Sequence, residues 1–307
     1  MILTTATLVL LFCQEGTIQF AGKLDVDLSE QDFDVRRLRL GVKGTFDEGP
    51  NYALSFNNNV DEVTSELHEA LISFDHSFGE VELGYFKEPF GLDNSSSSHE
   101  VSFLERSSAT LLNADHNIGF AANSPLGSNA YLKWGVFRNA VSARFTNLLI
   151  DNEDQNYFWH VGASAGSRTS DKYFAGDNIA LFDVETLFQD GAFSFQAEAQ
   201  SLEADNTESV AFSLQASIML AGEDRVYSIS KGSFRALETP GALEFAVRST
   251  RVDMSEYSPE MNVINDYNAA LNYCIDDSSK LQLEIGHGSD GFTEDETTVI
   301  LRYHFRW

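Results

Sequence analysis

Residues 297–307 read TTVILRYHFRW. Val299, Leu301, Tyr303, Phe305 and Trp307 fall in one register, and Thr298, Ile300, Arg302, His304 and Arg306 in the other. A β-strand, whose side chains repeat every two residues, sorts them into an apolar, aromatic face and a polar one. A soluble protein can end in an edge strand. It would rarely leave Tyr, Phe and Trp as one uncovered stripe, because such an edge invites pairing with another chain.

The same alternation recurs toward the N-terminus. Candidate strands lie at 17–28, 33–46, 51–57, 65–75 and 80–87, then at 117–123 and 130–138. Further ones lie at 156–166, 178–188, 192–203, 208–220, 225–231, 241–253, 263–275, 280–288 and 297–305. That is sixteen, with 139–178 and 221–240 as the stretches where a strand could be missed or invented. A globular domain averages about a quarter strand, whereas roughly half of this chain reads as strand. Pro50, Pro89, Pro125, Pro240 and Pro259 all fall between candidates, as ladder hydrogen bonding requires. Turn signals fall there too: DEGP at 47–50, SPLGSN at 124–129, QDG at 189–191 and DDSS at 276–279.

The expected architecture is all-β: a transmembrane antiparallel barrel of about sixteen strands. Strands of about ten residues cross a bilayer at a tilt, and an even count brings both chain ends to one side. A terminal amphipathic strand with an aromatic last residue resembles the assembly signal of outer-membrane barrels, where Phe is more usual than Trp307. The polar faces read as a lumen: Glu244 and Arg248 oppose Leu243, Phe245 and Val247, and Ser194, Gln196 and Glu198 oppose Phe193, Phe195 and Ala197. A soluble sandwich shows the same alternation, but one of this size would usually split into two domains.

Composition bounds the function. There are 47 Asp+Glu against 20 Lys+Arg, a formal charge of −27. Nucleic-acid binding, which needs a basic footprint, is disfavoured. The hydrophobic fraction of 43% is too high for a disordered acidic chain. The mean hydropathy of −0.21 excludes a bundle of membrane helices. Residues 1–16 hold the longest apolar run, too short to span as a helix, and read as a degenerate or mis-started secretory signal; the alternative is an apolar first strand. Residues 17–307 then form a single barrel domain. Cys13 and Cys274 are the only cysteines, so loss of the first leaves no intrachain disulfide.

The seven histidines show no zinc spacing, and no nucleophile elbow, P-loop or dinucleotide fingerprint occurs. No catalytic residue, metal or cofactor is therefore expected. The acidic stretches 151–154 and 294–296 lack EF-hand spacing and read as solvated loop tips.

The longest connection, 87–116, is the third external loop if the first strand rises from the periplasm, and its length marks it as functional. GYFKEPFGLDNSSSSHEVSFLERS at 84–107, RRLRLGVKGTF at 36–46, LHEALISF at 67–74, GALEFAVRSTRVD at 241–253 and YNAALNYCIDDSSKLQLEIGH at 267–287 resemble, in order, segments of the phosphate-selective porin O/P family. Within that likeness His68 stands where Arg is typical, and residues 276–278 read DDS where the family has NPN. The resemblance implies a homotrimeric, sixteen-stranded outer-membrane porin passing small anions such as phosphate, with the third loop folded into the lumen.

The candidate pore-lining residues are Arg106 and Glu105 on that loop, Lys87 at its start, Arg37, Arg39 and Lys43 along one strand face, and Lys133. Guanidinium forks near a constriction suit a passing oxyanion. The plain alternatives are that Arg106 pairs with Glu105 or another loop acid, and that the Arg37–Lys43 stripe is cancelled by Glu69 and Glu244. The expected function is passive diffusion of small solutes or ions, with lipid around the barrel. The rivals are a surface barrel or adhesin that binds a partner through its loops, and a soluble secreted β-protein.

Overall fold

A computed structural model of the chain describes residues 16–29, 32–47, 49–60, 62–152, 156–170, 178–205, 207–256, 263–288 and 296–307. Residues 1–15 of the leader expected at 1–16, Cys13 among them, and parts of both acidic stretches fall outside them, while Gly16 opens the first strand.

The first seven strands are β1 (Gly16–Ser29), β2 (Phe33–Phe46), β3 (Asn51–Asn59), β4 (Thr64–His76), β5 (Gly79–Lys87), β6 (His116–Pro125) and β7 (Ala130–Phe137). Next come β8 (Ala140–Asn152), β9 (Tyr157–Arg168), β10 (Ile179–Asp190), β11 (Phe193–Ala204) and β12 (Thr207–Ala221). β13 (Tyr227–Ser228) and β14 (Ser233–Phe234) are two-residue pieces. β15 (Leu243–Asp253), β16 (Val263–Cys274), β17 (Ser279–Gly288) and β18 (Glu296–Arg306) complete the chain. All but β13 and β14 belong to one closed barrel in sequence order, and β1 pairs with β18 to close it. Every pairing is antiparallel, which suits strands joined by short turns.

At the seam the register runs from Lys23↔Arg306 to Ser29↔Ile300. Gly22 and Trp307 extend it, exchanging backbone hydrogen bonds of 3.0 and 3.2 Å. The Trp307 indole lies over Gly22, where a Cβ would come within 2.0 Å of the ring. Closure removes the exposed sheet edge that the terminal strand would otherwise present.

The barrel is polar inside and apolar outside. Along β15 the luminal Glu244, Arg248 and Thr250 are buried, while Phe245 and Val247 face outward and are exposed. β18 behaves likewise, with Arg302 and His304 buried and Val299, Leu301 and Tyr303 exposed. The face assignment read from residues 297–307 therefore holds.

The count of sixteen is correct through two compensating errors. β8 was not expected. Its hairpin with β7 turns on Arg138 and Asn139, with neither Gly nor Pro to mark it. Conversely, 225–231 is not a wall strand. Its alternation is real, but only Tyr227 and Ser228 pair, with Phe234 and Ser233. Tyr227 and Ile229 pack inside the barrel against Leu92, Leu148, Phe158, Leu187 and Phe234. Pro125 closes β6 instead of lying beyond it, opposite Tyr131 at the end of the ladder.

Two connections enter the lumen from opposite ends. Residues 88–115 descend from the external end as the third loop. Residues 222–242, between β12 and β15, climb from the end that carries the C-terminus.

Candidate pore constriction

The third loop is fastened to the wall formed by β9–β12 and β15–β18. Its backbone amides at Leu92 and Asp93 donate to Glu198 of β11, at 2.8 and 3.2 Å. These amides open a short helical turn, α1 (Leu92–Ser95), and so are otherwise unpaired donors. Farther along, Leu104 N donates to Glu284 (2.7 Å), Ser102 Oγ to Glu244 (3.1 Å), and Asn272 Nδ2 to Ser102 O (2.8 Å). Arg248 Nη1 donates to Glu105 O (2.9 Å) and Lys280 Nζ to His99 O (3.0 Å). An apolar patch adds to this: Phe90, Ala109 and Leu112 of the loop pack on Ile179, Leu181, Leu202 and Val252. Burial of such side chains is worth roughly 1.5–3 kcal/mol each, so the loop is held by packing as well as by polar contacts.

This attachment consumes the acids of the far wall. Asp183, Glu185 and Glu198 bring carboxylate oxygens within 4.8 Å of one another. Glu185 accepts from Arg144 Nε and Nη2 at 3.0 and 2.5 Å, and His160 Nε2 lies 2.9 Å away. Glu198 is taken by the loop amides, and Asp183 meets Ser164 Oγ at 3.3 Å. Neither this cluster nor Arg144 was anticipated, because β8 was not. The Glu185, Arg144 and His160 alternation is visible only once the β8–β9–β10 register is known.

The opposite wall carries a stripe of cations. Arg37, Arg39 and Lys43 share the luminal face of β2. Arg37 pairs with Asp25 (2.5 Å) and Glu105 (3.0 Å), and not with Glu69 or Glu244 as the alternative reading supposed. Glu244 pairs instead with Arg225, at 2.9 Å. Arg39 donates Nε to Asn57 Oδ1 at 2.8 Å, and neither Arg39 nor the exposed Lys43 forms an ion pair among the described residues. A register shift between β1 and β2 sets Val35 and Arg36 opposite Val26 alone. This bulge brings Arg36 beside Arg37 at Glu105, with Nε at 3.3 Å, a position that strict alternation denies it. A second bulge at His68 leaves it beside Asn57, with its ring 4.6 Å from that of His116.

The remaining expected residues are placed as follows. Arg106 donates Nε to the carbonyls of Asp93 (3.0 Å) and Ser96 (3.1 Å) and Nη2 to Ser96 (2.5 Å), so it braces the loop without contacting Glu105. Lys87 donates to Asn94 O at 2.8 Å. Lys133 pairs with Glu82 at 2.6 Å. Glu105 meets Arg36, Arg37 and Arg302. Burial works to raise its carboxyl, but the Arg37, Arg36 and Arg302 guanidinium groups outweigh burial and hold it below the usual carboxylate value.

The segment 222–242 meets the third loop in the lumen. Arg225 reaches Glu100 O (2.5 Å) and Ser102 Oγ (2.9 Å) while its ring-facing side lies over Phe234. Lys231 pairs with Glu100 at 2.7 Å. One open space lies against β1–β4: a cavity of about 390 Å³ lined by Lys23, Arg39, Lys43, His68, Glu69 and His99, among others.

The chain belongs to the phosphate-selective porin O and P family, whose model matches residues 19–190, more than half of it. No curated protein matches. Among solved structures, the anion-selective porin of Comamonas acidovorans is similar at TM-score 0.66 and 12% identity, over 95% of this chain and 100% of the other. The outer-membrane channel DcaP of Acinetobacter baumannii is similar at 0.64 and 11%, over 96% and 98%. OmpT of Vibrio cholerae in its trimer form is similar at 0.60 and 12%, over 96% and 100%. These likenesses concern the fold. Family and fold together make this an outer-membrane porin of a Gram-negative bacterium, a channel for passive diffusion of small solutes.

Proposed function

We propose that this porin prefers small anions, phosphate among them, and that it works as a homotrimer without catalysis or cofactor. The supporting observation is the division of luminal charge. Of the far-wall acids, Glu198 and Glu284 are tied to the third loop and Glu185 to Arg144. Lys23, Arg39 and Lys43 line the space against β1–β4, and among the described residues Glu69 is the one acid that does so. In a narrow aqueous pore the local field of such groups, and not the net charge of −27, sets which ion enters. Arg106, Lys87 and Lys133 belong to this reading as near neighbours of the path, and residues 17–307 as its single barrel unit. The exposed apolar belt, with Phe182, Val184, Phe212, Leu214 and Ile285, suits outer-membrane lipid and sister subunits. The deciding experiment is the reversal potential across a KCl gradient in planar bilayers. A chloride-side potential that falls when phosphate competes is the expected result; a potassium preference would overturn the reading.

A further inference from the structure

The Glu105 carboxylate stands among three guanidinium groups. Arg36 Nε lies 3.3 Å from Oε1, Arg302 Nη1 3.1 Å from Oε1 and Arg37 Nη2 3.0 Å from Oε2. The three come from unrelated places: a bulge, the regular stretch beside it, and the last strand. Two of the three, Arg37 and Arg302, are held by other partners besides Glu105. Arg37 is also held by Asp25 through Nη1 at 2.5 Å. Arg302 is gripped by Asp27 through Nε and Nη2, at 2.6 and 2.7 Å, and donates Nη1 to Leu104 O at 2.6 Å. Donors already fixed by other partners need little rearrangement to receive an oxyanion. Guanidinium forks fit planar carboxylate and tetrahedral phosphate oxygens alike.

Charge points the same way. Arg36, Arg37 and Arg302 face Asp25, Asp27 and Glu105, so the group is neutral only while Glu105 is present. Of these acids, Glu105 is the one that can leave: its side chain is 42% exposed, against 0% for Asp25 and 13% for Asp27. The cage borders an external vestibule of about 520 Å³ lined by Arg36, Arg37 and Arg39 together with Asp34, Glu62 and Glu66.

We infer that Arg36, Arg37 and Arg302 form an oxyanion subsite whose resident is Glu105, a tethered carboxylate that a solute phosphate or carboxylate displaces as it passes. The inference rests on the anion reading for the sign of the solute and deepens it by naming the subsite. A tethered resident competes at an effective concentration in the millimolar range or above. It therefore keeps the subsite from holding dilute solutes, and a solute that does enter is readily expelled.

The test uses the full-length porin in planar bilayers, with inorganic phosphate and acetate as separate probes added to KCl. In Glu105→Gln, phosphate or acetate should half-block the chloride current at a concentration on the order of tenfold lower than in the wild type, as the tethered competitor is lost. Adding Arg36→Ala to that variant should return block to the wild-type level. Unchanged block by both probes in Glu105→Gln overturns the subsite. Potassium selectivity in the wild type would instead refute the anion reading, and the Glu105→Gln block would still decide the subsite. If Glu105→Gln does not fold, calorimetric titration of the wild type with phosphate replaces it: binding heat lost in Arg36→Ala supports the subsite, and equal heat in both proteins overturns it.

Discussion

Arg39 and Lys43 line the space against β1–β4 with no acid in ion-pair contact among the described residues. Each charge acts on a passing ion through water, where unit charges at about 4 Å interact by about 1 kcal/mol. Replacing either by Ala should lower chloride over potassium permeability by about fivefold, read from the reversal potential. An unchanged ratio would remove that residue from the path. Arg37 differs because it is already paired with Asp25 and Glu105. Glu105 supplies a pH effect with a definite sign. Its carboxyl is held below its ordinary value of 4.5, so its anchoring is complete above that value and fails only as the pH falls below it. Channel noise and limited proteolysis of the loop should stay constant from neutral pH down to that point and rise beyond it. Loss of the loop's order well above it would contradict the pairing. The luminal place of Arg37, Arg39 and Lys43 could be read from alternation. Arg36 could not, because a bulge changes which face a residue shows and leaves no mark in the local pattern.

At the scale of elements, the decisive contacts are those between the two inward segments. Arg225 joins them, bonding Glu244, Ser102 and the Glu100 carbonyl. Arg225→Ala would leave Glu244, 1% exposed, without its cation and should cost about 3–5 kcal/mol. Heat-modifiable migration on gels and urea unfolding would register the loss. Shortening 226–236 to a simple turn should raise the single-channel conductance, because that segment fills space beside β8–β10; equal conductance would show that it does not narrow the path. The third loop was legible from its length. The second segment was not, since its alternation imitates a wall strand and only its partners betray that it lies inside. β8 was hidden for the converse reason: a genuine wall strand, Ala140–Asn152, follows a turn of ordinary residues.

For the whole molecule, closure is the governing event. β1 bonds to both β2 and β18, so a fault in β1 opens the barrel. Gly44 approaches it so closely that a Cβ would lie 1.8 Å from Thr17 O. Gly44→Ala should therefore destabilise the folded barrel by about 1–3 kcal/mol, seen as a lower urea midpoint; an unchanged midpoint would show that β1 and β2 adjust freely. The barrel itself was legible because its period-two pattern runs through nearly every strand and ends in an aromatic stripe. The sign of the lumen was not legible from a net charge of −27, since that number adds loop tips to the acids spent on anchoring. One feature separates two kinds of change open to this protein. The wall is a closed cycle of registers, in which an insertion anywhere disturbs every neighbour. The bore is set by two pieces, 88–115 and 222–242, that hang from opposite rims and lie inside the wall. Descendants of this chain can thus alter what they admit by exchanging either piece, one exposed to the outside world and one to the periplasm, while inheriting the wall intact.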